Sequence, residues 1–536
     1  MELVKQENYQ TEADVAPPHI VSSKRILGAA LFLGAVANLL FYDKAPGLSV
    51  LLFTLLLLVA LWSVGRSEKQ YPIWRNSWLL APLLFFGAMV AVRANLFLTV
   101  LNILALLSIL SFIVFFYAAG RVDGFGLLAT AVIPVRVVGN SISNGVPVFA
   151  ARVSNIAKHE KASQRLIPVL RGGLLALPIL ILFTLLLTSA DLIFAGYVDD
   201  ALSVHYLSDI AEWFWRGALI GLTAVFLGGA LMYTFSRRDG KGELSWLETA
   251  VNVIPREVPL GITETMVVLI LVNGLFLMFT AVQFVYLFGG ADNIHLQGHT
   301  YAEYARRGFF EMITVAILSL GLILGLNWLT RRNNKRQIKL FNGFATVLII
   351  FVAAILLSAW QRMRLYEANF GYTELRLYVT IFILWLIPLL IWFVLTLWKQ
   401  PDFFAIGVIV TAIGFLVTLN LLNPDALIAR RNLERYQQTG DLDIFYLTNL
   451  SDDAVPELIA ALPLLDGDEQ TVCSWIDPYG MERVISEECA EVTMAEVLDG
   501  EINGRLQSMT DNPEWRRWQS FNLSHWQAWT AMRNGL

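Results

Sequence analysis

Charge is what this sequence has least of. Only 15% of its 536 residues are Asp, Glu, Lys or Arg, where a soluble chain carries about a quarter. With 56% hydrophobic residues and a mean hydropathy of +0.58, that shortage excludes an ordinary soluble globular protein. Cysteine is nearly absent too. The two present, Cys473 and Cys489, lie near the carboxyl end, so no paired CxxC is available for redox or zinc chemistry. A P-loop, an HExxH and a GxSxG are also missing, which removes the commonest NTPase, zinc-protease and serine-hydrolase chemistries. The predicted spans hold few ionisable groups and no Asp/Glu/His chain, which argues against a proton-driven pump. No cofactor and no nucleic-acid partner is expected.

What is present is a series of apolar blocks near the ~20 residues needed to cross hydrocarbon. Eleven spans are predicted: 26–42, 48–64, 78–92, 96–118, 167–189, 213–235, 264–288, 309–329, 340–358, 377–398 and 403–422. The expected fold is all-α, a polytopic transmembrane helical bundle with a small C-terminal helical extramembrane domain. Its parts are a tail over 1–25, the transmembrane domain over 26–422 and the extramembrane domain over 423–536. The connection 119–165 mixes apolar with Gly/Pro-rich pieces and predicts a cytoplasmic interfacial helix followed by a loop. The third span is short, and whether it crosses fully is open. The leader lacks a small-residue cleavage site after an early apolar core, so no cleaved signal peptide is expected. Gly217/Gly221 and Gly321/Gly325 are expected as close-packing points between helices.

The basic residues give a direction. One set of segments between spans holds 22 Lys and Arg, the alternate set only seven, and the richer side is the cytoplasmic one. The 190–212 loop, with five acidic residues and no Lys or Arg, falls on the poorer side. The amino terminus is therefore expected inside and the C-terminal domain outside. In an oxidising compartment a Cys473–Cys489 disulfide is plausible.

The few outer cations then stand against the bias. RMRLYEANFGYTELRLY (362–378) is read as an outer loop carrying Arg362, Arg364, Tyr366, Glu367 and Arg376. Expected on the same face are Arg93 and Asn95, Asp191, then Arg430, Arg431 and Arg435. In HTYAEYARRGFFE (299–311), Thr300 and Glu303 form a capping box, followed by Tyr301, Tyr304, Arg307 and Glu311. Glu311 then falls about 12 Å into a helix, where a carboxylate needs a partner or a polar cavity. Two readings stand: ion pairs and interfacial anchors locking the helix ends, or a pocket whose arginines bind an anionic headgroup or polymer. His295 and His299, beside Asp292 and Glu303, form a weak metal candidate, because Gly298 disfavours the helix that would align the imidazoles. The acidic pairs Asp441/Asp443 and Asp466/Asp468 look like turn residues more than metal ligands.

Several stretches carry a resemblance: TYAEYARRGFFE, RMRLYEANFGYTELRLY, NPDALIARRNLERYQQTGDLDIFYLTNLSDDAVPEL, RANLFLTVLN, VLRGGLLALPILILF, SADLIFA and the closing WQSFNLSHWQA. In this order they resemble the bacterial domain-of-unknown-function 4173 family. The resemblance implies a bacterial multi-pass membrane protein with no established activity and transfers no catalytic residue; the cytoplasmic membrane is the expected location. The function expected is therefore binding, sensing or envelope assembly, with the lipid bilayer and an anionic lipid headgroup or envelope polymer as partners. A membrane enzyme or translocase acting on a lipid-linked anionic substrate is the alternative, and a passive channel or transporter the third.

Overall fold

The computed structural model describes residues 23–69, 74–117, 127–157, 205–236, 260–288, 309–330, 334–399, 403–466, 471–474 and 490–535, with isolated positions 71, 183, 187, 188, 191, 194 and 332. Among the described residues nine helices are long and apolar enough to cross a membrane. These are α1 (Ser23–Phe41), α2 (Leu48–Ser67), α4 (Leu96–Phe115), α6 (His205–Ser236), α7 (Ile262–Phe288), α8 (Phe309–Leu329), α9 (Lys335–Phe370), α10 (Glu374–Lys399) and α11 (Phe404–Leu422). Nine of the eleven expected spans are thereby met. The expected span 167–189 falls almost wholly outside the described residues, and the third is shorter.

That third element is built to reach. A 3-10 stretch (Trp74–Leu79) runs into α3 (Leu80–Met89). At about 2.0 Å per 3-10 residue and 1.5 Å per α residue the two extend for about 27 Å, against about 30 Å for α4. Asn76 Nδ2 donates to Phe116 O at 3.1 Å, which pins the start of this element to the end of α4. The pair is thus an antiparallel hairpin of matched length, turning at Val90–Asn95.

Contacts divide the chain into two compact units. The first comprises 1–35, 59–72 and 137–238. Here α5 (Leu127–Ala157) is one continuous helix where a helix followed by a loop was expected. The Gly/Asn/Ser run that reads as a loop is instead the packing surface. Gly145 backs onto the Val225 carbonyl of α6, Gly229 of α6 backs onto the Ser141 carbonyl, and Gly228 meets Phe149 and Ala30. Missing side chains let these backbones touch. By contrast Gly217, Gly221, Gly321 and Gly325, expected at such seams, have nothing within 4 Å of a would-be Cβ among the described residues.

The second unit comprises 36–58, 73–136 and 239–536. Its core forms where α7, α8 and α10 pack on α9, whose buried Ala345, Leu348, Val352, Ile355, Leu356, Ala359 and Met363 fall on one helical face. Against α10, α11 presents Gly407 to the Trp392 ring and Gly414 to the Trp385 ring. Both indoles stay hydrogen-bonded, Trp385 Nε1 to Thr418 Oγ1 and Trp392 Nε1 to Phe403 O, each at 3.0 Å. Past α11 come α12 (Pro424–Thr439), α13 (Ile444–Thr448), α14 (Val455–Leu465), α15 (Met494–Asp511) and α16 (Leu523–Gly535). This region is helical as expected, apart from one antiparallel ladder of β1 (Thr471–Ser474) with β2 (Ala490–Thr493). Cys473 lies opposite Glu491 in that ladder; Cys489, and with it the expected disulfide, lies outside the described residues.

The glycine seam yields a prediction. Gly229→Val forces a side chain into the Ser141 backbone and should destabilise the protein in detergent by about 1–3 kcal/mol, read as a lower unfolding midpoint. Gly217→Val, on an open helix surface, should leave the midpoint nearly unchanged.

Candidate functional site

The second unit gathers its polar residues where four chain segments meet at the helix ends. At their centre is Asp453, with a side chain 1% exposed. Its Oδ2 accepts from Ala94 N at 2.7 Å and Asn95 N at 3.0 Å, and its Oδ1 from Ser524 Oγ at 2.5 Å and Arg93 Nη1 at 3.3 Å. A desolvated carboxylate is costly unless donors surround it, and here they come from both the α3–α4 turn and α16. The rest of that turn is held in the same way. Asn522 Nδ2 donates to Val90 O and Arg93 O at 3.2 and 2.8 Å and Leu523 N to Ala91 O at 2.7 Å, while the Ser524 hydroxyl, whose one proton is shared with Asp453, lies 2.7 Å from Val92 O. The turn's backbone groups, which neither helix can satisfy, are thus satisfied by the C-terminal region.

Asn95 is the second hub. Its Oδ1 caps α4 by accepting from Leu98 N at 3.0 Å. Its Nδ2 donates to Glu374 Oε1 at 2.6 Å and to both oxygens of Asp425 at 3.2 and 3.1 Å. Asp425 is fully buried and also accepts from Ser451 N at 3.1 Å and from the Ser451 hydroxyl. Tyr446 accepts from Glu374 N at 2.8 Å through its phenol oxygen. One level further along α4, Asn102 and Asn420 form a reciprocal amide pair at 2.8 Å, both fully buried.

Three of the predicted arginines clamp helix ends. Arg93 donates twice to Asn420 O, at 2.8 and 2.6 Å, closing the end of α11. Arg435 reaches Ala368 O and Asn369 O at 3.1 and 2.6 Å and pairs with Asp441 at 2.8 Å. Arg376 donates to Phe370 O and Gly371 O at 3.0 and 2.6 Å, with its guanidinium 4.2 Å from the Tyr366 ring centroid. Arg430 pairs with Glu457 and Arg431 with Glu434. A carbonyl-rich helix end attracts a cation, so Arg93, Arg376 and Arg435 answer a backbone need, whereas Arg430 and Arg431 answer carboxylates.

RMRLYEANFGYTELRLY is not a loop. Helix α9 continues through Phe370, and only Gly371, with φ 75°, to Thr373 separate it from α10. No helix breaker precedes that glycine. Arg362 therefore sits inside the bundle, donating to Gln283 Oε1 of α7 at 2.7 Å, while buried Glu367 accepts from Thr380 Oγ1 of α10 at 3.1 Å. Glu311 is exposed near the start of the described part of α8, and the capping box expected at Thr300 and Glu303, with the depth it implied for Glu311, lies outside the described residues. Asp191 accepts from Phe194 N at 3.0 Å and belongs to the first unit. Tyr301, Tyr304, Arg307, His295 and His299 lie outside the described residues. Asp443 caps α13, accepting from Tyr446 N at 3.0 Å, so this acidic pair is turn chemistry. Among the described residues no group of three or more His, Cys, Asp or Glu is placed to hold a metal.

The fold and the polar lock define a multi-pass helical membrane protein. A family model for a domain of unknown function, DUF4153, matches residues 80–461, and the chain belongs to that family. This meets the expectation of an uncharacterised family, although the number 4173 does not carry over. No curated protein and no solved structure matches the chain. Sequence reasoning missed Asp425 and Asp453 as members of a buried polar network. The signal lay in RANLFLTVLN, NPDALIARR, TNLSDDAVPEL and FNLSH, segments far apart in the chain whose Asn, Asp and Ser side chains meet here.

Two predictions follow from this geometry. Asp453→Ala leaves Arg93 and two backbone N–H groups without their acceptor and should destabilise the protein by about 3–5 kcal/mol, whereas Arg431→Ala, an exposed pair, should change it by less than about 1 kcal/mol. Burial, helped by the carboxyls of Glu374 and Asp425, pushes the Tyr446 phenol up to about 12. Below pH ~10 the phenol is neutral in both states and nothing is lost. Above it the unfolded chain releases the proton first, so stability falls as pH rises toward 12, by about 1–2 kcal/mol after allowance for partial exposure. Tyr446→Phe should lack that component of the alkaline loss in unfolding midpoints measured against pH.

Proposed function

We propose that this is a non-catalytic component of a bacterial cytoplasmic membrane, with its amino terminus inside and its C-terminal domain outside, that binds an anionic lipid headgroup or envelope polymer. The observation that carries this reading is a group of guanidiniums around one turn. Arg364 and Arg376 act electrostatically on Glu367, and Arg364 and Arg431 on Tyr372, at the α9–α10 turn. Arg364 is exposed, with its guanidinium 5.4 Å from the Trp360 ring centroid, and Arg431 is exposed beside Glu434. Stacking leaves a guanidinium's N–H edges available to phosphate or carboxylate. Charge asymmetry along the chain supports the orientation. The C-terminal region touches the α1–α2 and α3–α4 turns together, so it shares their side of the bundle.

The enclosed acids argue against the enzyme reading. An acid placed for catalysis needs access to substrate, and Asp425 and Asp453 are ringed by donors from the protein's own chain. The test uses phosphatidylglycerol as the probe, with phosphatidylcholine as the neutral reference. Arg364→Ala with Arg431→Ala should weaken retention of phosphatidylglycerol by about fivefold per guanidinium, measured by native mass spectrometry, with the unfolding midpoint unchanged. Equal retention by the variant and the parent protein would contradict the proposal.

A further inference from the structure

We infer that the C-terminal segment Pro513–Gly535 is a second membrane contact, an interfacial anchor that rests Trp518 and Phe521 in the lipid headgroup layer. The segment is fixed by backbone contacts to the ends of candidate spans. Leu48 N, the first residue of α2, donates to Phe521 O at 3.1 Å, and Gly47 packs against the backbone of Ser520 and Phe521. Arg517 donates to Asp43 O at 3.1 Å and pairs with the Asp43 carboxylate, while Leu523 N reaches Ala91 O at the end of α3. A segment bound to the ends of two apolar hairpins lies at the level where hydrocarbon gives way to water.

The side chains at that level are the ones such a boundary favours. Trp518 is 52% exposed and Phe521 38% exposed. Trp526, one turn into α16, is 46% exposed and closes a cluster with Trp515 and Trp529 at ring-centroid distances of 5.7–6.4 Å. Arg516 lies 5.2 and 4.9 Å from the centroids of Trp515 and Trp529. Tryptophan concentrates at headgroup depth because its ring is apolar and its N–H is polar, and arginine beside it meets phosphate. The spans whose ends hold this segment also expose Leu39, Leu96 and Phe97, near those ends. Lipid is the occupant that suits both the apolar spans and the aromatic segment bound to their ends. This anchor uses none of the arginines of the α9–α10 turn and stands or falls apart from them.

The test places a nitroxide at Trp518→Cys, and separately at Phe521→Cys, in a Cys473→Ser, Cys489→Ser background reconstituted in phosphatidylglycerol/phosphatidylcholine nanodiscs. Collision with oxygen should be high and collision with an aqueous nickel complex several-fold lower than at Gln437→Cys, on the exposed face of α12. Nickel access equal to that at position 437 overturns the inference in favour of a water-facing surface. Protection from both reagents overturns it in favour of a protein partner or a second copy. If the cysteine-free background does not fold, quenching by brominated lipid decides with the native cysteines in place. Trp518→Ser should then lower the quenchable share of tryptophan emission, and an unchanged share overturns the inference.

Discussion

A buried carboxylate with donors on every side holds the second unit together. Asp453 has lost its water and regains the interaction from two backbone N–H groups, a serine hydroxyl and a guanidinium. Those donors belong to the α3–α4 turn and to α16, so the carboxylate is satisfied only when the carboxyl-terminal helix is seated on the bundle. Asn522 and Leu523 make the constraint mutual by satisfying the turn's carbonyls. The C-terminal region therefore acts as a cap on the helix ends, and its stability and theirs are coupled.

The same need explains the arginines. Helices that end at a membrane surface leave carbonyls facing a region of intermediate polarity, where a long cationic side chain supplies donors and lets its stem cover apolar surface. Arg93, Arg376 and Arg435 each close the end of a helix other than their own or the turn before it. Once those are engaged, the guanidiniums at the rim of the α9–α10 turn are the ones left facing outward, and the proposed anion contact rests on them. Lock and ligand surface are thus built from one residue type, distinguished by whether a carbonyl lies within reach.

Much of this architecture was legible because hydrocarbon imposes a simple code. Apolar runs near 20 residues marked the spans, and the polar stretch after Leu422 marked the helical region. Helix ends were less legible, since composition reports where lipid stops and not where the helix does. Helix α9 continues about three turns past its apolar run because nothing breaks it before Gly371. The reverse error occurred in α5, whose glycines and asparagines look like loop residues until α6 is laid against them. Asp425, in the first turn of α12, favours a helix start, but its full burial depends on Asn95 and Ser451, distant in sequence. Burial of that kind is a tertiary fact, and no local pattern encodes it.

Hydrogen exchange read by mass spectrometry on the full-length protein in nanodiscs tests the coupling most directly. The amides of Ala94 and Asn95 should exchange as slowly as those of α14, and Asp453→Asn should speed both sets together. Rapid exchange at Ala94 and Asn95 in the parent protein, or acceleration in the variant confined to the turn, would contradict the account.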